Sequence, residues 1–264
     1  MHKIQTSNGI HVSYAKHAGG AGAPPLVLVH GGFSDHWTNW EFVLPSLTQE
    51  FTVYAIARRG RGQTSSTTDH RLEDEASDLV ELIRTIGAQV FLLGHSYGAQ
   101  VALRAATMLA PAIVRRLILY EPPRPSLMGR HMEKLEAYAR DNDWSGMSYA
   151  FFHEVLQVPA QELHELKNSE LWAPIVADAK ASLGDLRALT RYDFDPELFR
   201  RLRMPVLLQI GSLSPRKLYA TDLLAPVLPD VAIESLDGQA HEAMTTAPQQ
   251  YVRSVVAFLN HALV

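Results

Sequence analysis

Hydrophobic and polar residues follow two rhythms along this chain. From Ile10 to Tyr14 they alternate one for one, the period of a strand with one face in water. Leu26 to Val29 is unbroken apolar sequence, as expected of a parallel strand covered on both faces. Further strands are expected over Thr52 to Ala57, Val90 to Leu93, Val114 to Tyr120, Pro205 to Ile210 and Val231 to Leu236. Between them apolar positions recur every three or four residues, which predicts helices over Leu72 to Ile86, Tyr97 to Leu109 and Pro248 to His261. Strands that alternate with helices build βαβ units with right-handed crossovers. The expected fold class is therefore α/β, one mostly parallel central sheet flanked by helices.

The alternation lapses after Tyr120. Pro122, Pro123 and Pro125 interrupt the chain, and no strand pattern returns before Pro205. The sequence between reads as helix, over Met132 to Ala139, Ser148 to Leu156 and Gln161 to Leu171. We read residues 125–203 as a helical cap inserted into a core made of residues 1–124 and 204–264. An insertion at that point sits over one end of the sheet, and open α/β sheets hold ligands at their carboxyl ends. The stretch Gly19 to Pro25 precedes a strand and lacks the third glycine of a dinucleotide loop, so it reads as a surface turn.

Composition narrows the chemistry. Cysteine is absent from the 264 residues, which excludes disulfides, thiolate zinc sites and a cysteine nucleophile. The net charge is −4, and Arg58, Arg59 and Arg61 are too short a basic cluster to hold nucleic acid. No run of ~18 apolar residues occurs, so no membrane span is expected. The N-terminus has no signal-peptide pattern, and the expected location is the cytoplasm. His153-Glu154 and His241-Glu242 lack the second histidine of a zinc-binding helix, so no metal site is expected.

Gly94-His95-Ser96-Tyr97-Gly98 lies between a predicted strand and a predicted helix. A serine on so tight a turn takes strained backbone angles, and the flanking glycines let strand and helix approach. Its hydroxyl is presented at the carboxyl edge of the sheet, beside a helix N-terminus that favours developing negative charge. His30-Gly31-Gly32-Phe33 follows the strand Leu26 to Val29, and the N–H of Gly32 can join that of Tyr97 as a two-donor oxyanion hole. His30, ending a buried strand, reads as a structural hydrogen-bonder. A serine hydroxyl needs an adjacent base near neutral pH, and histidine has the matching pKa. His241, which closes Gly238-Gln239-Ala240-His241 after the last strand, is the candidate.

Together these residues resemble the α/β-hydrolase superfamily, whose triad runs serine, acid, histidine along the chain. Arg59-Gly60-Arg61-Gly62 is similar to that family's Arg-Gly-x-Gly loop, with Ala57 where an aspartate is usual. The resemblance implies a triad acid at the third residue beyond Gly211, and that position holds Ser214. A minority of the superfamily places the acid one strand earlier, where this chain has Glu121. A carboxylate ending an apolar strand is costly unless paired. Neighbouring strands are ~4.8 Å apart and glutamate is one methylene longer than aspartate, so Glu121 can reach the same histidine. Asp237 and Asp222 are the reserve candidates. The elbow residue is serine, which sets the chain apart from the haloalkane dehalogenases and epoxide hydrolases of this fold, which need a carboxylate there.

The implied function is hydrolysis of a small to medium apolar ester or lactone through Ser96, His241 and Glu121, without a cofactor. Phe33, Phe152 and Trp172 are the candidates to line the substrate pocket. The expected partner is a small molecule, with neither nucleic acid nor membrane, and the oligomeric state stays open. Two alternatives remain: carbon–carbon bond hydrolysis on the same triad, and a non-catalytic ligand-binding protein on the same fold.

Overall fold

The computed structural model describes residues 1–7, 9–66 and 69–260. Eight strands form one sheet: β1 (His2–Gln5), β2 (His11–His17), β3 (Pro25–Val29), β4 (Thr52–Ala57), β5 (Val90–His95), β6 (Val114–Tyr120), β7 (Val206–Gly211) and β8 (Val231–Leu236). Their order in space is β1-β2-β4-β3-β5-β6-β7-β8. β2 is antiparallel to β1 and β4, and every other pair is parallel. The helices of the first half are α1 (Leu44–Glu50), α2 (Leu72–Ile86) and α3 (Tyr97–Ala106). Between β6 and β7 come α4 (Gly129–Arg140), α5 (Trp144–Ala150), α6 (Ala160–Lys167) and α7 (Trp172–Thr190). The chain ends through α8 (Thr221–Leu224), α9 (Ala243–Thr246) and α10 (Pro248–Asn260).

The apolar run of β3 explains the layering. Successive side chains of a strand point to opposite faces. Leu26 and Leu28 pack with α1 and α10 through Leu47, Tyr251 and Val255. Val27 and Val29 pack with α2 and α3 through Leu79, Ile83 and Val101. A strand polar on either face would leave one layer without its core. The α2–α3 layer runs on without a break into apolar residues of the inserted helices, among them Met147, Phe151, Leu183 and Leu189.

One close approach depends on glycine. A Cβ on Gly98 would sit 2.3 Å from the carbonyl oxygens of both Val29 and His30, so any side chain would force α3 away from β3. That contact sets the height of the α3 N-terminus over the sheet edge.

Five elements were not foreseen from the sequence, the short helices α8 and α9 among them. β1 is short and polar, an edge strand with only Ile4 partly buried, so it carries no alternating signal. α1 spans only seven residues. α7, the longest helix of the insertion, carries Pro174 in its first turn and Gly184 in its interior, and it buries Ser182 and Asp185 among its apolar residues. Polar residues on the inward face erase the periodicity that marks an amphipathic helix. Expected boundaries also moved. The helix expected over Gln161 to Leu171 ends at Lys167, and the one from Tyr97 ends at Ala106 rather than Leu109. The helix expected over Ser148 to Leu156 is the end of α5 followed by one wide turn, Phe151–Val155. His261, expected to close the last helix, lies outside the described residues.

Candidate active site

Ser96 stands where β5 turns into α3, at φ 53° and ψ −124°. A non-glycine residue at positive φ costs on the order of 1–3 kcal/mol and persists only where its surroundings impose it. Here the Ser96 N–H continues the ladder to the Tyr120 carbonyl at 2.9 Å, while its own carbonyl accepts from Ala99 N–H at 2.9 Å as α3 begins. The residue is thus held by the strand on one side and the helix on the other. Tyr97 opens α3, so its N–H is one of the donors a helix leaves unsatisfied.

The loop after β3 is pinned on both sides of Gly32. Gly31 N–H donates to Asn39 Oδ1 at 2.9 Å, and Phe33 N–H donates to Ser182 Oγ at 2.7 Å. Arg58 holds the carbonyls of His30 and Gly31 at 2.9 and 2.7 Å, and its guanidinium lies 4.6 Å from the centre of the Tyr97 ring. Gly32 lines the same cavity as Ser96 and Tyr97. His30 is fully buried and accepts the Arg58 N–H on Nε2 at 3.2 Å, a structural role.

Glu121 ends β6 at φ 48°, fully buried. Its Oε2 lies 2.5 Å from His241 Nδ1, and its Oε1 accepts the Gly211 N–H at 2.8 Å. Ser214, which follows β7, is one of the neighbours that lower the pKa of this carboxylate. The Tyr219 ring stacks on His241 with centres 5.6 Å apart, its hydroxyl 3.2 Å from Nδ1. Asp222 is paired with Arg216 at 2.8 Å, and Asp237 is exposed; neither is bonded to His241. The loop that carries His241 needs Gly211 beneath it, since a Cβ there would meet the Gln239 carbonyl at 2.3 Å.

These contacts set the titration. Burial alone would lower the His241 pKa, but the bond to Glu121 and its charge outweigh burial and raise it above 6.5. Burial would raise Glu121, and the His241 bond outweighs it, so the carboxylate sits below 4.5. With Nδ1 held by Glu121, Nε2 is the ring nitrogen left for chemistry. His95, one residue before the serine, is pushed well below 6.5 by burial and then by His241. Its Nε2 donates to the His241 carbonyl at 3.0 Å, and its Nδ1 lies 3.0 Å from Asn39 Oδ1. His95 thereby ties the His241 loop to the loop of Gly31 and Gly32.

Ser96, His241, Gly32 and Tyr97 share one cavity, roofed by Phe151, Phe152, Leu186 and Leu189 of the inserted helices. Of the three residues expected to line it, Phe152 does. Phe33 instead packs behind, stacked on Phe151 at 4.4 Å and edge-on to Phe152 at 5.6 Å. Trp172 lies off the cavity, its indole N–H directed to Ser145 Oγ at 3.2 Å. Two groups among the described residues bring three nitrogen or carboxylate ligand atoms within 4.8 Å of one another, His95-His241-Glu242 and His70-Glu75-Asp185. In the first, Nδ1 of His241 is taken by Glu121, and in the second Arg58 already occupies both carboxylates.

The sequence reading passed over Asn39, His95, Ser182, Asp185 and Tyr219. One signal was available. Asp178, Ser182 and Asp185 recur at helical spacing on one face of an alanine-rich stretch, and Arg58, Arg59 and Arg61 stand close together in the sequence. Asp185 receives forked bonds from both Arg58 and Arg61, and Asp178 a forked bond from Arg61. Arg58 and Arg61 thus tie the loop after β4 to α7, while Arg59 pairs with Asp78 of α2.

A model of the alpha/beta hydrolase family matches residues 26–254. The chain is similar to the N-formylmaleamate deformylase of Pseudomonas putida, 27% identical over 98% of this chain and 96% of that one. It is similar to a 2-(acetamidomethylene)succinate hydrolase of Mesorhizobium japonicum, 25% identical over 90% of this chain and 89% of that one. Among solved structures, an alpha/beta hydrolase from Sphaerobacter thermophilus superposes with a TM-score of 0.83, at 26% identity, over 98% of this chain and 100% of that one. With this sheet order, this serine elbow and a match across most of its length, the chain belongs to the alpha/beta hydrolase family.

Proposed function

We propose that this hydrolase cleaves an acyl bond in a small substrate through an acyl-enzyme on Ser96. The observation that carries the reading is the bond between Glu121 and His241 Nδ1 in a cavity shared with a strained serine. In this mechanism His241 Nε2 takes the Ser96 proton as the hydroxyl attacks the acyl carbon. The N–H groups of Gly32 and Tyr97 receive the oxyanion. The protonated imidazole, stabilised by Glu121, then gives its proton to the leaving group. A water molecule activated by the same ring releases the acid. No cofactor enters these steps.

Esters and lactones are the first substrate class, since the roof of the cavity is apolar. The two relatives that span nearly the whole chain are named for N-formylmaleamate and 2-(acetamidomethylene)succinate, which makes N-acyl compounds the second class. A pocket protein without turnover has no use for a buried carboxylate that raises the basicity of one imidazole, and this supports the catalytic reading over the binding one. The test is 4-nitrophenyl acetate and butyrate hydrolysis together with a fluorophosphonate probe. One site should label, and Ser96→Ala should remove both labelling and turnover. Labelling unchanged in that variant overturns the assignment.

A further inference from the structure

Resting on the acyl-hydrolase reading above, we propose that Arg124 binds an anionic group of the substrate, so that the natural substrate is a small acyl compound carrying a carboxylate. Arg124 follows Glu121 by three residues and lines the same cavity as Ser96 and His241. Its main chain is fixed, because its N–H donates to the Leu218 carbonyl at 2.9 Å and Pro123 bridges Tyr219. Its side chain lacks an acceptor: Nε is buried with no hydrogen-bond partner, and no carboxylate among the described residues pairs with the guanidinium. A half-buried cation in that state is costly. A carboxylate is the acceptor that its planar fork fits in two parallel bonds.

The rest of the wall does not cancel this charge. Arg130 lines the cavity too and directs its Nε to His131 at 3.1 Å rather than to an acid. Asp185 faces the cavity but is neutralised by Arg58 and Arg61. Glu242 is pushed up to about 7 by burial, so much of it is uncharged near neutral pH. Glu154, which acts on His131 electrostatically, is paired with Lys134 at 2.5 Å. What remains is an apolar roof, a reactive serine and uncompensated guanidinium.

The test compares two five-carbon acyl esters, mono-4-nitrophenyl glutarate and 4-nitrophenyl valerate, each corrected by the rate of the Ser96→Ala protein. Wild type should favour the glutarate in kcat/KM by about tenfold or more at low salt. Raising NaCl from about 20 to about 500 mM should shrink that ratio, because screening weakens a charge pair. In Arg124→Gln, and in Arg124→Met as a second variant, the ratio should fall about tenfold with folding checked by circular dichroism. A wild-type ratio at or below one, a ratio indifferent to salt, or a ratio kept in either folded variant overturns the proposal. Equal rates in wild type and Ser96→Ala would instead overturn the acyl-hydrolase reading beneath it, so the two failures are separable.

Discussion

Two sets of charges are buried in this molecule, and they are built on opposite rules. At the seam between core and insertion, Arg58 and Arg61 share Asp185, with Glu75 and Asp178 completing the set. The Arg58 and Asp185 side chains are 2% and 1% exposed, and four forked contacts of 2.7–3.0 Å use every acceptor Asp185 has. Burial would raise the Asp185 pKa, but the two arginines outweigh it and hold the carboxyl well below its ordinary value. Guanidinium does not deprotonate in proteins and the Asp185 carboxyl is held down, so these three groups keep their charge near neutral pH. The Glu121–His241 pair is buried too, its side chains 0% and 10% exposed, but its cation is an imidazole whose charge can change near neutrality. A buried pair that cannot titrate holds two parts of the chain together. One that can titrate is able to move a proton. The first also serves the second, since Arg58 and Ser182 pin the backbone on either side of Gly32.

The strongest way to break this comparison is Glu121→Gln. It keeps the shape and removes the charge that stabilises protonated His241. A comparable aspartate-to-asparagine change costs about 10⁴ in kcat in a serine protease, and a loss of about 10³ to 10⁴ in kcat/KM is expected here with the fold intact by circular dichroism. A variant within about threefold of wild type, under 1 kcal/mol, would remove Glu121 from the chemistry.

Asp185→Asn should act on the other quantity. Removing the shared partner of a buried ionic set leaves Arg58 with Glu75 alone and Arg61 with Asp178 alone, and should lower stability by about 3–5 kcal/mol, read as a lower urea midpoint at unchanged slope. Turnover should fall as well, by less than in Glu121→Gln, because the Gly31–Phe33 loop loses its support. Unfolding within about 1 kcal/mol of wild type would show that the cluster is not scaffolding.

The pH profile sharpens the contrast. With His241 as the proposed base, kcat/KM should rise with pH through a midpoint above 6.5. Stability runs the other way. His241's contribution is fully present below 6.5 and is lost as pH rises through its raised pKa, whereas Glu121's is present above 4.5 and lost as pH falls. The pair stabilises most between those values, and turnover through His241 should be greatest above its raised pKa. The residual activity of Glu121→Gln should have its acid midpoint moved down, while Asp185→Asn leaves the midpoint in place. An acid limb that is the same in all three proteins would detach it from His241.

The smallest effects are expected from Asp237→Asn and Asp222→Asn. Asp237 is exposed and Asp222 pairs with Arg216 at the surface, so kcat/KM should stay within about threefold. A loss near that of Glu121→Gln in either would reopen the choice of acid.

What the sequence by itself determined is local. The apolar runs of β3 and β5, the glycines around Ser96, the Gly-Gly loop and the loop that carries His241 after β8 are constraints on neighbouring backbone, and each is written within a few residues. The elbow was legible because only Gly98 lets α3 lie against β3. Glu121 was legible because a carboxylate ending an apolar strand demands a partner. Tertiary structure alone decided which partner: Glu121 and His241 are 120 residues apart, and Arg58 and Asp185 are 127 apart. It also turned Phe33 and Trp172 away from the cavity and buried Ser182 and Asp185 among the apolar residues of α7. Periodicity reports which face of an element is buried only when the buried face is apolar. Where burial is satisfied by ion pairs between distant segments, the sequence offers only the spacing of the polar residues, and the pairing exists only after the chain has brought both halves together.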